Sequence, residues 1–200
     1  MKKAKIAVFV SGGGTNLQAL LDAEESGILT NGKIELVISN KEGVFALERA
    51  EKANVKTAVV EKSKCTSQKE FEDKLKALLK ENEIDLIVLA GFMCILSEDF
   101  TKDYPERIIN VHPSLIPSFC GKGFYGLRVH EAALNYGVKV TGATVHFVNE
   151  IPDGGKIIMQ RAVEIKDGDT PEILQKRVME NAEWIILPQA VEKVSKEIIN

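Results

Sequence analysis

The sequence predicts an α/β protein of the Rossmann-like, doubly wound type: a mostly parallel sheet with helices on both faces and an antiparallel hairpin near the C-terminus. Three observations support this class. Short apolar runs alternate with amphipathic stretches of helical length. The first run leads into SGGGTN at residues 11–16, a strand, glycine loop and helix start. Residues 140–148 alternate in polarity and precede a glycine-containing turn and another strand-like run, which predicts a hairpin.

The first part of the chain contains three strands and two helices in this interpretation. Residues 5–10 are rich in Val, Ile and Phe, which favour a buried strand. Apolar residues over 17–23 predict a helix, residues 34–39 a second strand and residues 44–53 a second helix. Residues 57–60 predict a third strand at the edge of the sheet.

The middle of the chain continues the alternation. Residues 71–79 place apolar side chains at i, i+4, i+7 and i+8, one face of a helix. Residues 84–90 are almost wholly apolar and predict a central strand. Residues 108–112 predict a strand that proline ends, and residues 127–136 predict a helix.

The last part of the chain predicts the hairpin and a long helix. Strands are expected over residues 140–148 and 156–165. Thr170 suits the cap and Pro171 the first position of the final helix, which we expect to continue towards residue 199. Pro188 is expected to interrupt or kink this helix. Because no repeat or linker intervenes, we expect one domain over residues 1–200.

Composition limits the function classes. A 200-residue chain with 44% hydrophobic residues and a net charge of −3 has the profile of a globular protein and lacks the basic footprint of a nucleic-acid binder. Three widely spaced cysteines, Cys65, Cys94 and Cys120, indicate neither a disulfide framework nor a zinc site, so no metal is expected. No segment has the length of a membrane span or the form of a signal peptide, and we expect a cytoplasmic protein.

The glycine loop at residues 11–16 has two interpretations. It would point free N–H groups at an anion from a helix start. The loop lacks the third glycine of the dinucleotide fingerprint, because Leu17 stands there, and it lacks the lysine of a nucleoside-triphosphate loop. A single phosphate group is the favoured ligand, and a plain tight turn is the alternative.

Asn110 and His112 are the candidate catalytic pair. They lie two residues apart near the end of a predicted strand, so both side chains point to one side of the sheet. An amide donor beside an imidazole suits oxyanion stabilisation and proton transfer. The alternative is an asparagine that caps a turn and a hydrogen-bonded loop histidine, and only the rest of a site distinguishes the two.

Two further loops are candidate ligand contacts. Residues 91–96 follow the central strand and form either core or an apolar wall for a ring-shaped ligand. Residues 118–126 combine three glycines with three aromatic residues. That loop either closes over a flat ligand or is an ordinary surface loop.

Three segments together resemble the folate-dependent formyltransferases. NVHPSLIP at residues 110–117 is typical of that superfamily, while SGGGTNL at 11–17 and VHFV with DGG at 145–155 are similar to its phosphoribosylglycinamide formyltransferase members. The likeness extends over essentially the whole chain. It implies transfer of a formyl group from N10 of 10-formyltetrahydrofolate, a co-substrate, to the amine of glycinamide ribonucleotide in purine synthesis. It implies small-molecule partners, no nucleic acid, no membrane, and either a monomer or a homodimer.

The resemblance also assigns residues to roles. Asn110, His112 and Asp153 would be catalytic, although an aspartate before glycine is more often a turn residue. The substrate would be held by Gly14, Thr15, Asn16 and Glu183. The folate would be held by Gln68, Met93, Cys94, Ile95, Leu96 and Asn110. The family usually has arginine at Cys94 and a basic residue near Gln68, so the folate pocket departs from the pattern.

The chemistry of formyl transfer fits this set. Amine attack on a formyl carbon creates an oxyanion, which the Asn110 amide and a protonated His112 can stabilise. We expect the Asp153 carboxylate to favour the protonated imidazole.

Related functions remain alternatives. Methionyl-tRNA formyltransferase shares the HPSL element but carries a C-terminal nucleic-acid-binding domain, for which we find no segment here. Formyltetrahydrofolate hydrolase carries an N-terminal regulatory domain, for which a first strand at Lys5 leaves no room. A non-catalytic phosphometabolite- or folate-binding module on the same fold is a third possibility.

Overall fold

The computed structural model describes residues 2–200 and is organised around a seven-stranded sheet with the order β3-β2-β1-β4-β5-β6-β7. The strands are β1 Ala4–Val10, β2 Gly32–Ser39, β3 Lys56–Val59, β4 Leu86–Leu89, β5 Ile108–His112, β6 Val140–Phe147 and β7 Ile157–Glu164. The helices are α1 Thr15–Glu25, α2 Phe45–Lys52, α3 Gln68–Glu81, α4 Glu98–Lys102, α5 Leu127–Tyr136, α6 Pro171–Val178 and α7 Trp184–Ile199. No helix within residues 2–200 has both the length and the apolar character needed to cross a bilayer.

The sheet has the predicted mixed topology. Strands β1 to β5 pair in parallel, whereas β6 pairs antiparallel with both β5 and β7. Strand β3 lies at one edge, as predicted. The chain winds outwards from β1 to β3 and returns to β4 on the other side of β1, so a crevice forms where the strand order reverses.

Helices cover both faces of the sheet, which confirms the doubly wound class. On one face, buried side chains of α1, α2, α6 and α7 pack together, with Leu17, Leu20 and Leu187 fully buried. On the other face, α3 and α4 bury Phe71, Leu75 and Phe100. The central strands β1 and β4 are apolar and buried on both sides because each side is covered by helices.

The final helical region differs from the expectation in the position of its break. Pro188 lies inside α7 and does not interrupt it. The irregularity comes earlier, as a π-helical turn at Met179–Glu183 between α6 and α7. Pro188 lacks the N–H that would bond the carbonyl four residues before it, and the chain widens into the π turn just ahead of that position.

Candidate functional site

Three chain segments meet at the carboxyl edge of the sheet. The glycine loop of residues 11–16 follows β1, residues 90–97 follow β4, and β5 ends at His112. The Met93 N–H donates to the Ser11 hydroxyl over 2.8 Å, which joins the first two segments. The reversal of strand order between β1 and β4 therefore lies in the middle of the candidate site.

Strand β5 presents Asn110 and His112 on the same face, as its two-residue period requires. Ile109 and Val111 point the other way, into the core beneath α1 and α7. Only 5% of His112 is exposed. The strand therefore holds the polar pair rigidly by packing its alternate residues.

The turn between β6 and β7 brings Asp153 to the pair. Its Oδ2 lies 3.6 Å from Nδ1 of His112, and its Oδ1 lies 3.6 Å from Nε2 of His146. Asp153 adopts a left-handed φ of 57°, a conformation that aspartate tolerates in turns. A Cβ at Gly155 would lie 1.8 Å from the Phe147 carbonyl oxygen, so only glycine permits this turn to fold so closely onto β6.

The loop of residues 118–126 contacts His112 and Asp153. The Phe119 carbonyl lies 2.8 Å from Nε2 of His112, and the Gly121 N–H donates to Oδ2 of Asp153 over 2.8 Å. The carbonyl partner assigns the proton of a neutral His112 ring to Nε2 and leaves Nδ1, towards Asp153, as the basic nitrogen.

His146 is a site residue for which the sequence indicated no role beyond a place in a strand and in the VHFV segment of the resemblance. Its register opposite Asn110 puts both side chains on one face, where Nδ2 of Asn110 lies 3.2 Å from Nε2 of His146. Nδ1 of His146 lies 2.7 Å from the Phe147 carbonyl, so in the neutral ring the proton is assigned to Nδ1 and Nε2 is the acceptor. His146 thereby fixes which end of the Asn110 amide is the donor. The signal in the sequence was the spacing of His146 and Asp153 on one hairpin.

The protonation of His112 differs from the expectation. Burial lowers the pKa of His112 below its usual value, and it outweighs the opposing effects of the Asp153 carboxylate and the Phe119 carbonyl. The free site therefore holds a neutral imidazole at neutral pH. Burial also acts to raise the pKa of Asp153, but His146, His112 and the Gly121 N–H together hold it below the usual range, so this carboxylate is ionised.

A second buried histidine, His130 of α5, is influenced by His112. Burial, with a smaller contribution from His112, lowers the pKa of His130 to about 4. Both His112 and His130 are therefore neutral imidazoles at neutral pH.

The predicted substrate residues lie together at the other side of the crevice. Gly14 precedes α1 in a left-handed conformation, φ 72°, and Thr15 and Asn16 form the first turn of the helix. Nδ2 of Asn16 donates to Oε2 of Glu183 over 2.8 Å. Glu183 ends the π turn and is buried, which raises the pKa of its carboxyl in spite of the Asn16 bond.

The predicted folate residues divide into two groups. Cys94, Ile95, Leu96 and Asn110 line a cavity of about 130 Å³ that also contacts Asp153. Met93 and Gln68 do not line it. Met93 is 53% exposed. Gln68 lies outside the cavity and supports its wall, because its Nε2 donates to the Ile95 carbonyl over 3.1 Å.

Larger clefts flank α1, with volumes of about 480 Å³ and 680 Å³. The first is mainly apolar and lies between α1 and α7, with Trp184 and Pro188 in its wall. Neither cleft contains the histidines or Asp153, so we assign the chemistry to the smaller cavity at the sheet edge. Within residues 2–200 no group of three or more His, Cys, Asp or Glu side chains is arranged to hold a metal ion.

Comparison with known proteins gives the family. The model of the formyl transferase family matches residues 4–191. The chain belongs to this family. Its member in Haemophilus influenzae, a phosphoribosylglycinamide formyltransferase, is 41% identical over 187 residues, which cover 94% of this chain and 85% of that protein.

Other relatives extend the comparison. The human trifunctional purine biosynthetic protein adenosine-3 is 44% identical over 194 residues, and the chain spans only 18% of that protein. A crystal structure of glycinamide ribonucleotide transformylase 1 from Symbiobacterium toebii superposes with a TM-score of 0.91 at 38% identity, covering 98% of this chain and 89% of that one. A phosphoribosylglycinamide formyltransferase from Brucella melitensis gives 0.88 at 39% identity, covering 97% and 96%. The fold of this formyl transferase is that of these enzymes.

Proposed function

We propose that this formyl transferase moves the formyl group of 10-formyltetrahydrofolate to the amine of 5′-phosphoribosylglycinamide, a step of purine (IMP) biosynthesis. The observation that carries the proposal is the meeting of Asn110, His112 and Asp153 at one carboxyl edge, across the crevice from the glycine loop. Relatives that align with nearly the whole chain and carry this activity in their names support it. Residues 1–200 would act as one formyltransferase domain.

The catalytic group would act on the tetrahedral intermediate. The second N–H of the Asn110 amide, held in orientation by His146, would donate to the oxyanion. Neutral His112 would accept the proton that the attacking amine loses. Ionised Asp153, 3.6 Å away, would stabilise the imidazolium that results. The imidazolium would then return the proton to N10 of the folate as the carbon–nitrogen bond breaks.

The two ligands would approach from opposite sides of His112. The backbone of Gly14, Thr15 and Asn16 would hold the substrate phosphate, with Glu183 close to the sugar. The cavity lined by residues 94–96 would take the ring end of the folate. Gln68 would support this wall, and Met93 would bear on the exposed part of the ligand. We propose small-molecule partners only, a cytoplasmic location, and a monomer or homodimer.

A turnover assay tests the proposal. The protein is incubated with 10-formyltetrahydrofolate with and without 5′-phosphoribosylglycinamide, and both the formylated product and free formate are measured. Formylated product that requires the amine substrate is expected. Formate released without the amine would identify a hydrolase, and binding without turnover would identify a binding module.

A further inference from the structure

Helix α2 forms a platform for the glycine loop. The Gly12 carbonyl accepts from the Ala46 N–H over 3.1 Å, and the Gly13 carbonyl accepts from Nε of Arg49 over 2.9 Å. The Gly14 carbonyl accepts from the Gln18 N–H of α1 over 2.9 Å. Three successive carbonyls are thus held by protein donors.

The N–H groups of the same loop, unlike its carbonyls, are not held by hydrogen bonds to the described part of the protein. Within residues 2–200, the N–H groups of Gly12, Gly13 and Gly14 have no protein acceptor, and no side chain caps α1. Peptide planes place the C=O and the N–H on opposite sides, so a carbonyl fixed against α2 turns the following N–H away from it. The loop is therefore arranged as a donor surface.

We propose that Arg49 is a positioning residue for phosphate recognition, an inference that rests on the proposed function. The Gly13 carbonyl and the Gly14 N–H belong to one peptide group, and that group lies between two glycines, whose backbone permits it to flip. The guanidinium fixes its orientation and polarises it, so the Gly14 N–H becomes a stronger donor to the phosphate.

Two contacts hold Arg49 in place for this task. Its Nη1 donates to Oε1 of Gln18 over 2.9 Å, and its guanidinium carbon lies 4.7 Å from the centre of the Phe45 ring. The platform is closely fitted, because a Cβ at Gly14 would lie 2.6 Å from Cβ of Ala46. Arg49 therefore acts through the loop backbone, and no contact between its side chain and the substrate is required.

Kinetics of two matched variants test the role. Arg49→Met removes the guanidinium, and Lys52→Met removes a second cation, 5.6 Å from the centre of the same Phe45 ring, that does not bond the loop. In Arg49→Met the KM for 5′-phosphoribosylglycinamide is expected to rise about tenfold or more, as for loss of a charged hydrogen bond. Its kcat and its KM for formylfolate are expected to stay within roughly threefold of the wild-type values. For Lys52→Met, kcat and both KM values are expected to stay within roughly twofold of the wild type. Arg49→Lys, which keeps the charge but not the planar fork, is expected between the two.

Calorimetric binding of ribose 5-phosphate separates this inference from the proposed function, because it needs no formyl transfer. Weaker binding by Arg49→Met supports the inference even if the wild type does not formylate the amine. Equal binding by Arg49→Met and the wild type, no binding by the wild type, or equal losses in Arg49→Met and Lys52→Met would overturn it. Should Arg49→Met fail to fold, Arg49→Lys carries the same comparison with a smaller expected loss.

Discussion

Asn110 and His112 lie side by side on β5, so their separate contributions can be measured on one rigid strand. Asn110→Ala removes the proposed oxyanion donor, and His112→Ala removes the proposed proton acceptor. We expect kcat to fall about 100- to 1000-fold in each, as for other oxyanion-hole deletions. Each KM is expected to stay within about tenfold of the wild type, because neither side chain carries the binding of a phosphate or a folate tail.

Steady-state kinetics with both substrates check this prediction, with Glu150→Gln as control. Glu150 borders the same cavity, but it is exposed and has no role in the proposed mechanism. Turnover of His112→Ala at the wild-type rate would contradict the role given to the imidazole.

Asp153 affects the charge of His112, which predicts a pH dependence. The pKa of His112 lies below its usual value because of burial, and the Asp153 carboxylate opposes that shift. In the proposed mechanism a neutral imidazole is the active form, so kcat/KM of the wild type is expected to fall as the pH drops through the lowered pKa of His112, which lies below the usual imidazole value of about 6.5. Asp153→Asn removes the opposing charge, so the pKa of His112 falls further and the acidic limb moves to lower pH, while the maximal rate decreases. A limb that moves to higher pH would contradict this arrangement.

The members of the candidate site differ in how far the sequence predicts them. Asn110 and His112 follow from the two-residue period of a strand and the prolines after it. The catalytic role of Asp153 was implied by the family resemblance alone, because no local sequence pattern predicts that the hairpin turn folds back over β6. His146 was missed since its role depends on the register between β5 and β6, two strands that 27 intervening residues separate along the chain. A local sequence pattern does not predict the register between strands that are distant along the chain.

At the level of elements, α3 supports the folate wall, the wall at residues 94–96 of the cavity proposed for the folate ring. Glu72 is buried and accepts from the Gln68 amide over 2.6 Å and from the Ser97 N–H over 2.7 Å. Glu72→Gln would turn an amide towards these donors and leave some of them unpaired. We expect the KM for formylfolate to rise by about tenfold, with little change in the KM for the amine substrate.

The control for Glu72 lies on the same helix. Asp73 is exposed and pairs with Lys69 one turn earlier, so Asp73→Asn is expected to leave both KM values within about twofold of the wild type. Equal effects of the two changes would mean that α3 does not transmit position to the folate wall.

Elements were predicted well where one local signal dominated. The strands followed from runs of β-branched residues, and Thr170 and Pro171 marked the start of α6 as expected. The π turn at Met179–Glu183 was not predicted, because its residues continue the helical pattern of both neighbours. Amino-acid composition does not mark the one-residue widening of the helix at the π turn, yet Glu183 in this turn contacts Asn16.

For the whole molecule, topology explains why the site combines residues from distant parts of the chain. The class of fold could be predicted because alternating strands and helices permit few arrangements, and right-handed crossovers restrict these further. The crevice between β1 and β4 then followed from the strand order. The size of the cavity could not be predicted, since it depends on how the residues that follow β4 pack against the turn between β6 and β7.

Global stability should reveal the cost of keeping a carboxylate at this site. Burial raises the pKa of Glu183, so ionised Glu183 destabilises the fold at pH values above that raised pKa, and the penalty disappears as the pH falls and the group is protonated. Glu192 of α7 has the opposite sign. Burial acts to raise its pKa, but bonds from Thr30 and Asn31 outweigh it and lower the value, so its ionised form stabilises the fold.

Two isosteric changes measure these opposite contributions by thermal unfolding. At pH 8 we expect Glu183→Gln to raise Tm and Glu192→Gln to lower it, by about 2–4 °C for each kcal/mol gained or lost in a chain of this size. The gain in Glu183→Gln should shrink as the pH falls through the raised pKa of Glu183, because the wild-type group then becomes neutral too. The deficit in Glu192→Gln should persist to lower pH, since the lowered pKa of Glu192 keeps that carboxylate ionised.

Glu183→Gln should also raise the KM for the amine substrate. The variant would then be more stable than the wild type but bind its substrate less well. A decrease in Tm for Glu183→Gln at pH 8 as large as that for Glu192→Gln would mean that Glu183 is a structural acceptor for Asn16, not a residue kept for the substrate.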